Sequence, residues 1–218
     1  MNTFSSFFFT AFKENASKVI KKKDYEDYYN NILKIVHNSF IAISLLLITV
    51  IPFVFNIFIN KSFNEAYMYI PILVIALYYG NMSGFYGSLF VAFKETKLIG
   101  KSTVIGAFIN IIVNLALIKF IGIYAAVIST LLSNYVVNAY RKYKSKGYLK
   151  LEKIDNYYLS IFMMILVTVL YYFKNTYINI SLILFKVLNN SWLNTFLFSK
   201  ISFHYIHTLF IIQSTHPL

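Results

Sequence analysis

The stretch Ser102–Ile118, STVIGAFINIIVNLALI, holds no charged side chain over 17 residues, and a second apolar run, Ile121–Tyr140, follows after only Lys119 and Phe120. A helix rises about 1.5 Å per residue, so about 20 mostly apolar residues cross the ~30 Å hydrocarbon core of a bilayer. Two such runs joined by a tight turn at Phe120–Gly122 predict an antiparallel transmembrane hairpin. In the first run Gly106, Asn110 and Asn114 stand four apart and share one helix face. An amide in lipid must find partners, so that face is expected to look into protein or a hydrated cavity. Two readings stay open: the stripe joins helices, or it lines a polar path. In the second run Ala125, Ser129 and Ser133 repeat every four residues, a small-residue seam for close helix packing. Asn134 and Asn138 form a second polar pair near its end.

Three more stretches have spanning length: Ser39–Ile59, Ala66–Phe93 and Tyr157–Phe173. A sixth span is expected within Ile178–Leu188 or Trp192–Ile212, although Lys186, Lys200, His204 and His207 interrupt these segments. The expected fold is all-α, a polytopic transmembrane helix bundle of about five or six spans. Residues 1–38 read as the end of a preceding helix and a basic loop, 39–173 as the five-span bundle, and 174–218 as an atypical tail. Composition agrees. Hydrophobic residues make up 58% and charged residues 13%, against about 25% charged in soluble domains. The chain has no cysteine, which removes disulfide, thiol and cysteine-zinc chemistry.

Basic residues alternate across the five spans as six, one, three, one, six and one, placing 15 on one side and 3 on the other. Basic short loops favour the cytoplasm, so the first, third and fifth spans are expected to run from inside to outside. The net charge of +12 then belongs to a membrane face, with anionic lipids rather than nucleic acid as its neighbours. No carboxylate falls within a span, so no acidic proton relay is expected. Lysine outnumbers arginine 19 to 1. That bias looks like AT-rich coding and carries no functional reading.

The second span holds Gly80, Gly84 and Gly87 among Asn81, Ser83 and Ser88, a bendable polar patch, while Pro52 and Pro71 are expected to kink their helices. No GxSxG, HExxH or Walker loop is present, and no enzyme activity, cofactor or metal is expected. His204 and His207 have a metal-compatible spacing but no third ligand, and His37 reads as an interfacial residue beside the first span. Phe4–Phe12 looks like the end of an earlier helix, and three of the four histidines and the single tryptophan fall after residue 190. Both ends lead to the expectation of a fragment, truncated before residue 1 and frame-shifted near residue 188.

Tyr69-Ile70-Pro71-Ile72-Leu73, Ala92-Phe93-Lys94-Glu95-Thr96-Lys97 and GAFINIIVNLALIKFIGIYAAVISTLLSN, from Gly106 to Asn134, together resemble the polysaccharide-biosynthesis flippases. These are the O-antigen and capsule repeat-unit translocases of the multidrug/oligosaccharidyl-lipid/polysaccharide exporter superfamily. Lys119 stands where such a turn often has proline, and Tyr124 where glycine is usual. The resemblance implies one lobe of a two-lobed transporter in a bacterial cytoplasmic membrane, moving an undecaprenyl-diphosphate-linked oligosaccharide between leaflets. It implies Asn81, Ser88, Asn110 and Asn114 as the polar path and Lys101 as a diphosphate contact. It leaves Gly80, Gly84, Gly87, Gly106, Gly122, Ala125, Ser129 and Ser133 to helix packing and turning. Membrane lipids, the lipid-linked oligosaccharide and a separate N-terminal lobe are the implied partners. A multidrug exporter of the same superfamily, a membrane polysaccharide polymerase and a non-functional gene remnant stand as alternatives.

Overall fold

The computed structural model describes residues 9, 12, 25–58, 64–154 and 156–173. The expected sixth span, His204 and His207, and the signs of truncation or frame-shift at the two ends lie outside the described residues. Among those residues every regular element is helical. We label the helices α1 (Tyr25–Phe58), α2 (Asn64–Ala92), α3 (Thr96–Ile121), α4 (Tyr124–Ser145) and α5 (Tyr157–Tyr172).

Three helices, α1, α2 and α3, are long and apolar enough to cross a membrane by length and composition. The other two fall short of that measure for different reasons. Asn134, Asn138 and the Arg141-Lys142-Tyr143-Lys144 run dilute the apolar character of α4, whereas α5 is strongly apolar but only 16 residues long. α1 takes in Tyr25 to Asn38 ahead of the apolar stretch at Ser39, with Glu26 and Asp27 in its first turn. Carboxylates there favour the positive end of the helix dipole. Pro52 and Pro71 both lie inside their helices without ending them.

Successive helices run antiparallel. The α3–α4 turn is closed by Gly122, whose N–H donates to the Ile118 carbonyl at 3.0 Å and whose φ is 54°. Glycine takes this left-handed conformation without steric cost, which lets the chain reverse within two residues. The centre of the bundle is α2, which packs against all four other helices, and its most extensive neighbour is α4. The α4 helix is in turn flanked by α3, and α5 closes against α1 and α2. Ile41, Ile48, Tyr78, Phe85, Leu89, Met164 and Val167 build the core among α1, α2 and α5.

The outside is also apolar. On α3 only Ser102 and Gly106 are buried, while Val104, Phe108 and Leu115 are about two-thirds exposed. On α5, Phe162 and Ile165 are exposed as well. Water would penalise so large an apolar exterior; acyl chains solvate it. Polar groups are correspondingly turned inward, including His37, Ser44, Ser88, Ser129, Asn138 and Arg141. The antiparallel order gathers Lys94, Lys97, Lys101, Lys142, Lys144, Lys146, Lys150 and Lys153 at one end of the bundle and puts Lys119 at the other.

Candidate functional site

The strongest concentration of buried polar chemistry lies where α2, α3 and α4 meet near the basic end. It begins with glycines. At Gly80 an added Cβ would sit 3.2 Å from the Asn134 Nδ2, and at Gly87 it would sit 3.0 Å from the Arg141 Nη1. These residues leave a shallow trough on α2. Into it α4 projects Asn134 and Arg141, with the buried Asn138 between them, four and three residues apart and therefore on the same helix face. Asn134 donates from Nδ2 to the Ala76 carbonyl at 2.9 Å, an interhelical bond to α2.

Arg141 is the most highly bonded residue of this face. Its Nε donates to Ser102 Oγ at 2.7 Å, its Nη1 to the Ser83 carbonyl at 3.0 Å and its Nη2 to Thr103 Oγ1 at 3.2 Å. A longer contact reaches the Ile99 carbonyl at 3.5 Å. One guanidinium thus joins three helices through neutral acceptors, and it is only 8% exposed. Among the described residues no carboxylate pairs with it; the one ion pair there is Lys34–Glu152 at 2.8 Å. A buried cation held by neutral acceptors keeps a positive potential that an anion can lower.

The adjoining face of α4 packs on α3. Ser133 Oγ donates to the Gly106 carbonyl at 2.8 Å, and an added Cβ on Gly106 would stand 2.5 Å from Val137 Cγ2 and 3.1 Å from Ser133 Oγ. Ala125 and Ser129 are fully buried on the same helix. At Gly84 the close neighbour is Phe9, 2.8 Å from the added Cβ, whereas Gly122 has nothing near and acts through its turn conformation.

The residues assigned to a polar path are placed separately. Asn81 Nδ2 donates to the Leu77 carbonyl at 2.8 Å, and Ser88 Oγ to the Gly84 carbonyl at 3.0 Å, both within α2 itself. Asn110 Nδ2 reaches Thr130 Oγ1 of α4 at 3.4 Å. Asn114 keeps a buried Oδ1 with no hydrogen-bond partner among the described residues. Lys101 is exposed one residue before Ser102, the partner of Arg141. No hydrogen bond joins the α2 pair to the α3 pair among the described residues.

The chain matches no protein-family model, no curated protein and no solved structure. Residue chemistry therefore carries the functional argument.

Two residues have contacts that the sequence alone does not suggest. In the sequence Arg141 reads as one basic residue of the loop after Tyr140, yet it lies inside α4. Its available signal was its rarity: a chain that uses lysine 19 times keeps one arginine, at the position where a planar fork has to reach several acceptors. His37 was expected at the membrane edge. It lies twelve residues into α1, about 18 Å along the helix, and is fully buried among its neighbours, with Nδ1 2.7 Å from the Tyr78 hydroxyl. Just past the apolar part of α4, the Lys142 ammonium sits 4.6 Å from the Tyr157 ring centroid. Burial, reinforced by Lys146, holds Lys142 below the usual lysine range.

Proposed function

We propose that this chain is one lobe, of five or six spans, of a bacterial cytoplasmic-membrane flippase that moves a lipid-linked oligosaccharide bearing a diphosphate. The observation that carries the reading is the buried Arg141, bonded to neutral acceptors on α2 and α3 at the lysine-rich end of an apolar bundle. A cation held this way attracts anionic groups, and a diphosphate is the anionic part of such a substrate. The resemblance of the Tyr69–Leu73, Ala92–Lys97 and Gly106–Asn134 segments to the polysaccharide flippases supports the same assignment. In this reading Lys101, exposed beside Ser102, makes the first contact with the diphosphate at the cytoplasmic entrance. Arg141 holds the entrance helices together and supplies the field. Asn110 and Asn114 face the sugars across a lobe contributed by another chain or segment. The oligosaccharide needs such polar lining because its hydroxyls lose their hydrogen bonds in hydrocarbon.

A direct test uses proteoliposomes carrying a fluorescent undecaprenyl-diphosphate oligosaccharide in one leaflet. The expected result is time-dependent transfer to the other leaflet, slowed by Lys101→Ala and by the double replacement Asn110→Ala/Asn114→Ala. Transfer no faster than in protein-free vesicles overturns the proposal. Transfer unaffected by the double replacement removes the two asparagines from the path.

A further inference from the structure

A second polar chain crosses a different part of the bundle, where α1, α2 and α5 meet. It is built on His37, which lies inside the membrane-length apolar helix Tyr25–Pro52 and has no solvent exposure. The His37 Nδ1 is 2.7 Å from the Tyr78 hydroxyl. Tyr157, at the start of α5, stands close enough to Tyr78 for the two phenols to interact electrostatically. The His37 and Tyr157 rings also pack directly, with centroids 5.2 Å apart. Lys142, from α4, sits over the same Tyr157 ring at 4.6 Å.

Imidazole is the side chain whose ordinary charge change falls between about pH 5 and 8. An ionisable group inside a membrane helix is costly and marks an ion or proton site by default. We propose that His37, with Tyr78 and Tyr157, forms a proton-binding site within the bundle. The step is the transfer of one proton from a hydronium ion to the neutral imidazole: an O–H bond breaks, an N–H bond forms, and water and the imidazolium are left. In the protonated form Nδ1–H donates to the Tyr78 oxygen, a charge-assisted bond that stabilises the imidazolium.

The surrounding groups place that charge in a balanced setting. On α1, Lys34 lies one turn earlier and is held by Glu152 of the α4–α5 connection at 2.8 Å. From α2 come Tyr78 and Tyr79, from α5 Tyr157, and from α4 Lys142. The two lysines oppose protonation, while Glu152 and the phenolic oxygens favour it. Protonation of His37 therefore adds a like charge facing Lys142 across Tyr157, at the seam between α4 and α5. The site rests on its own geometry and does not depend on what the bundle transports.

The test begins with the chain carrying His204→Gln, His207→Gln and His216→Gln, which leaves His37 as its sole histidine. In nanodiscs of mixed phosphatidylcholine and phosphatidylglycerol, nitrogen-15 NMR of the imidazole is followed over about pH 5–8. The expected result is a reversible titration, with the tyrosine Cζ resonances moving at the same midpoint. Tyr78→Phe, which removes only the hydroxyl, lowers the midpoint by about one pH unit, the worth of a charge-assisted hydrogen bond. An imidazole that stays neutral in one tautomer throughout overturns the proposal. So do tyrosine resonances that stay fixed while His37 titrates, a reading that needs no substitution in the site. A midpoint that Tyr78→Phe leaves unchanged is equally fatal.

Discussion

Replacing Arg141 by lysine and by methionine separates the shape of its side chain from its charge. Arg141 makes three well-formed hydrogen bonds, to Ser102 at 2.7 Å, the Ser83 carbonyl at 3.0 Å and Thr103 at 3.2 Å, spanning α2 and α3 from α4. A lysine ammonium is a single point and reaches one of these acceptor groups, so Arg141→Lys loses two bonds while keeping a buried charge. Hydrogen bonds to charged groups contribute about 1.5–3 kcal/mol in water-soluble proteins, but interhelical bonds in bilayers average nearer ~0.6 kcal/mol. Taking about 1 kcal/mol for each, Arg141→Lys costs about 2 kcal/mol, roughly a thirtyfold fall in the folded-to-unfolded ratio. Arg141→Met loses all three bonds, about 3 kcal/mol on the same scale. It also removes a desolvated charge whose burial costs several kcal/mol. The Ser83 carbonyl still belongs to the α2 helix, and Ser102 Oγ keeps its own bond to the Ile99 carbonyl at 2.8 Å, so few groups are orphaned. Methionine is therefore expected to be less damaging than lysine, within about 1 kcal/mol of the wild type. The assay is reversible unfolding in mixed micelles with increasing sodium dodecyl sulfate, followed by far-ultraviolet circular dichroism. Lysine equal to wild type, or methionine less stable than lysine, refutes the argument that a desolvated fork holds the three helices.

Gly106→Ala is expected to destabilise by about 1–3 kcal/mol through overpacking, because Val137 Cγ2 would lie 2.5 Å from the new Cβ. Adding Val137→Ala should recover part of the loss in the same unfolding assay, and Gly100→Ala, with open space around it, should cost nothing or stabilise. Since the chain has no native cysteine, Lys101→Cys and Lys119→Cys can be probed with a membrane-impermeant maleimide in sealed inverted and right-side-out vesicles. The antiparallel α3 places these positions at opposite ends of one helix, so each is expected to label from one side only, with Lys101→Cys facing the cytoplasm. Labelling of both from the same side would break the orientation inferred from the loop charges.

Helical content and the α3–α4 hairpin were readable before any coordinates, because hydropathy over about 20 residues is a property of the segment alone. The spacing of Gly106 and of Ala125, Ser129 and Ser133 also pointed to close packing, since residues four apart share a face wherever the helix lies. The structure seats Gly106 against Ser133 and Val137. Asn81 and Ser88 show where this logic stops. Their types and positions said polar and intramembrane, but both donate to carbonyls of their own helix, a local bond such side chains can make wherever the helix lies.

Sequence by itself determined that this chain forms apolar helices with basic residues sorted to alternate ends, because both properties are summed over local segments. Only the tertiary structure decided what Arg141 and His37 do. An arginine at the end of an apolar run reads as a loop charge until α2 and α3 supply Ser83, Ser102 and Thr103 as acceptors. The histidine near the start of such a run gains its contacts with Tyr78 and Tyr157 only through the packing of α1 against α2 and α5. The meaning of a lone polar group in a membrane helix lies in partners far away in the chain, and their approach is set by how the helices pack.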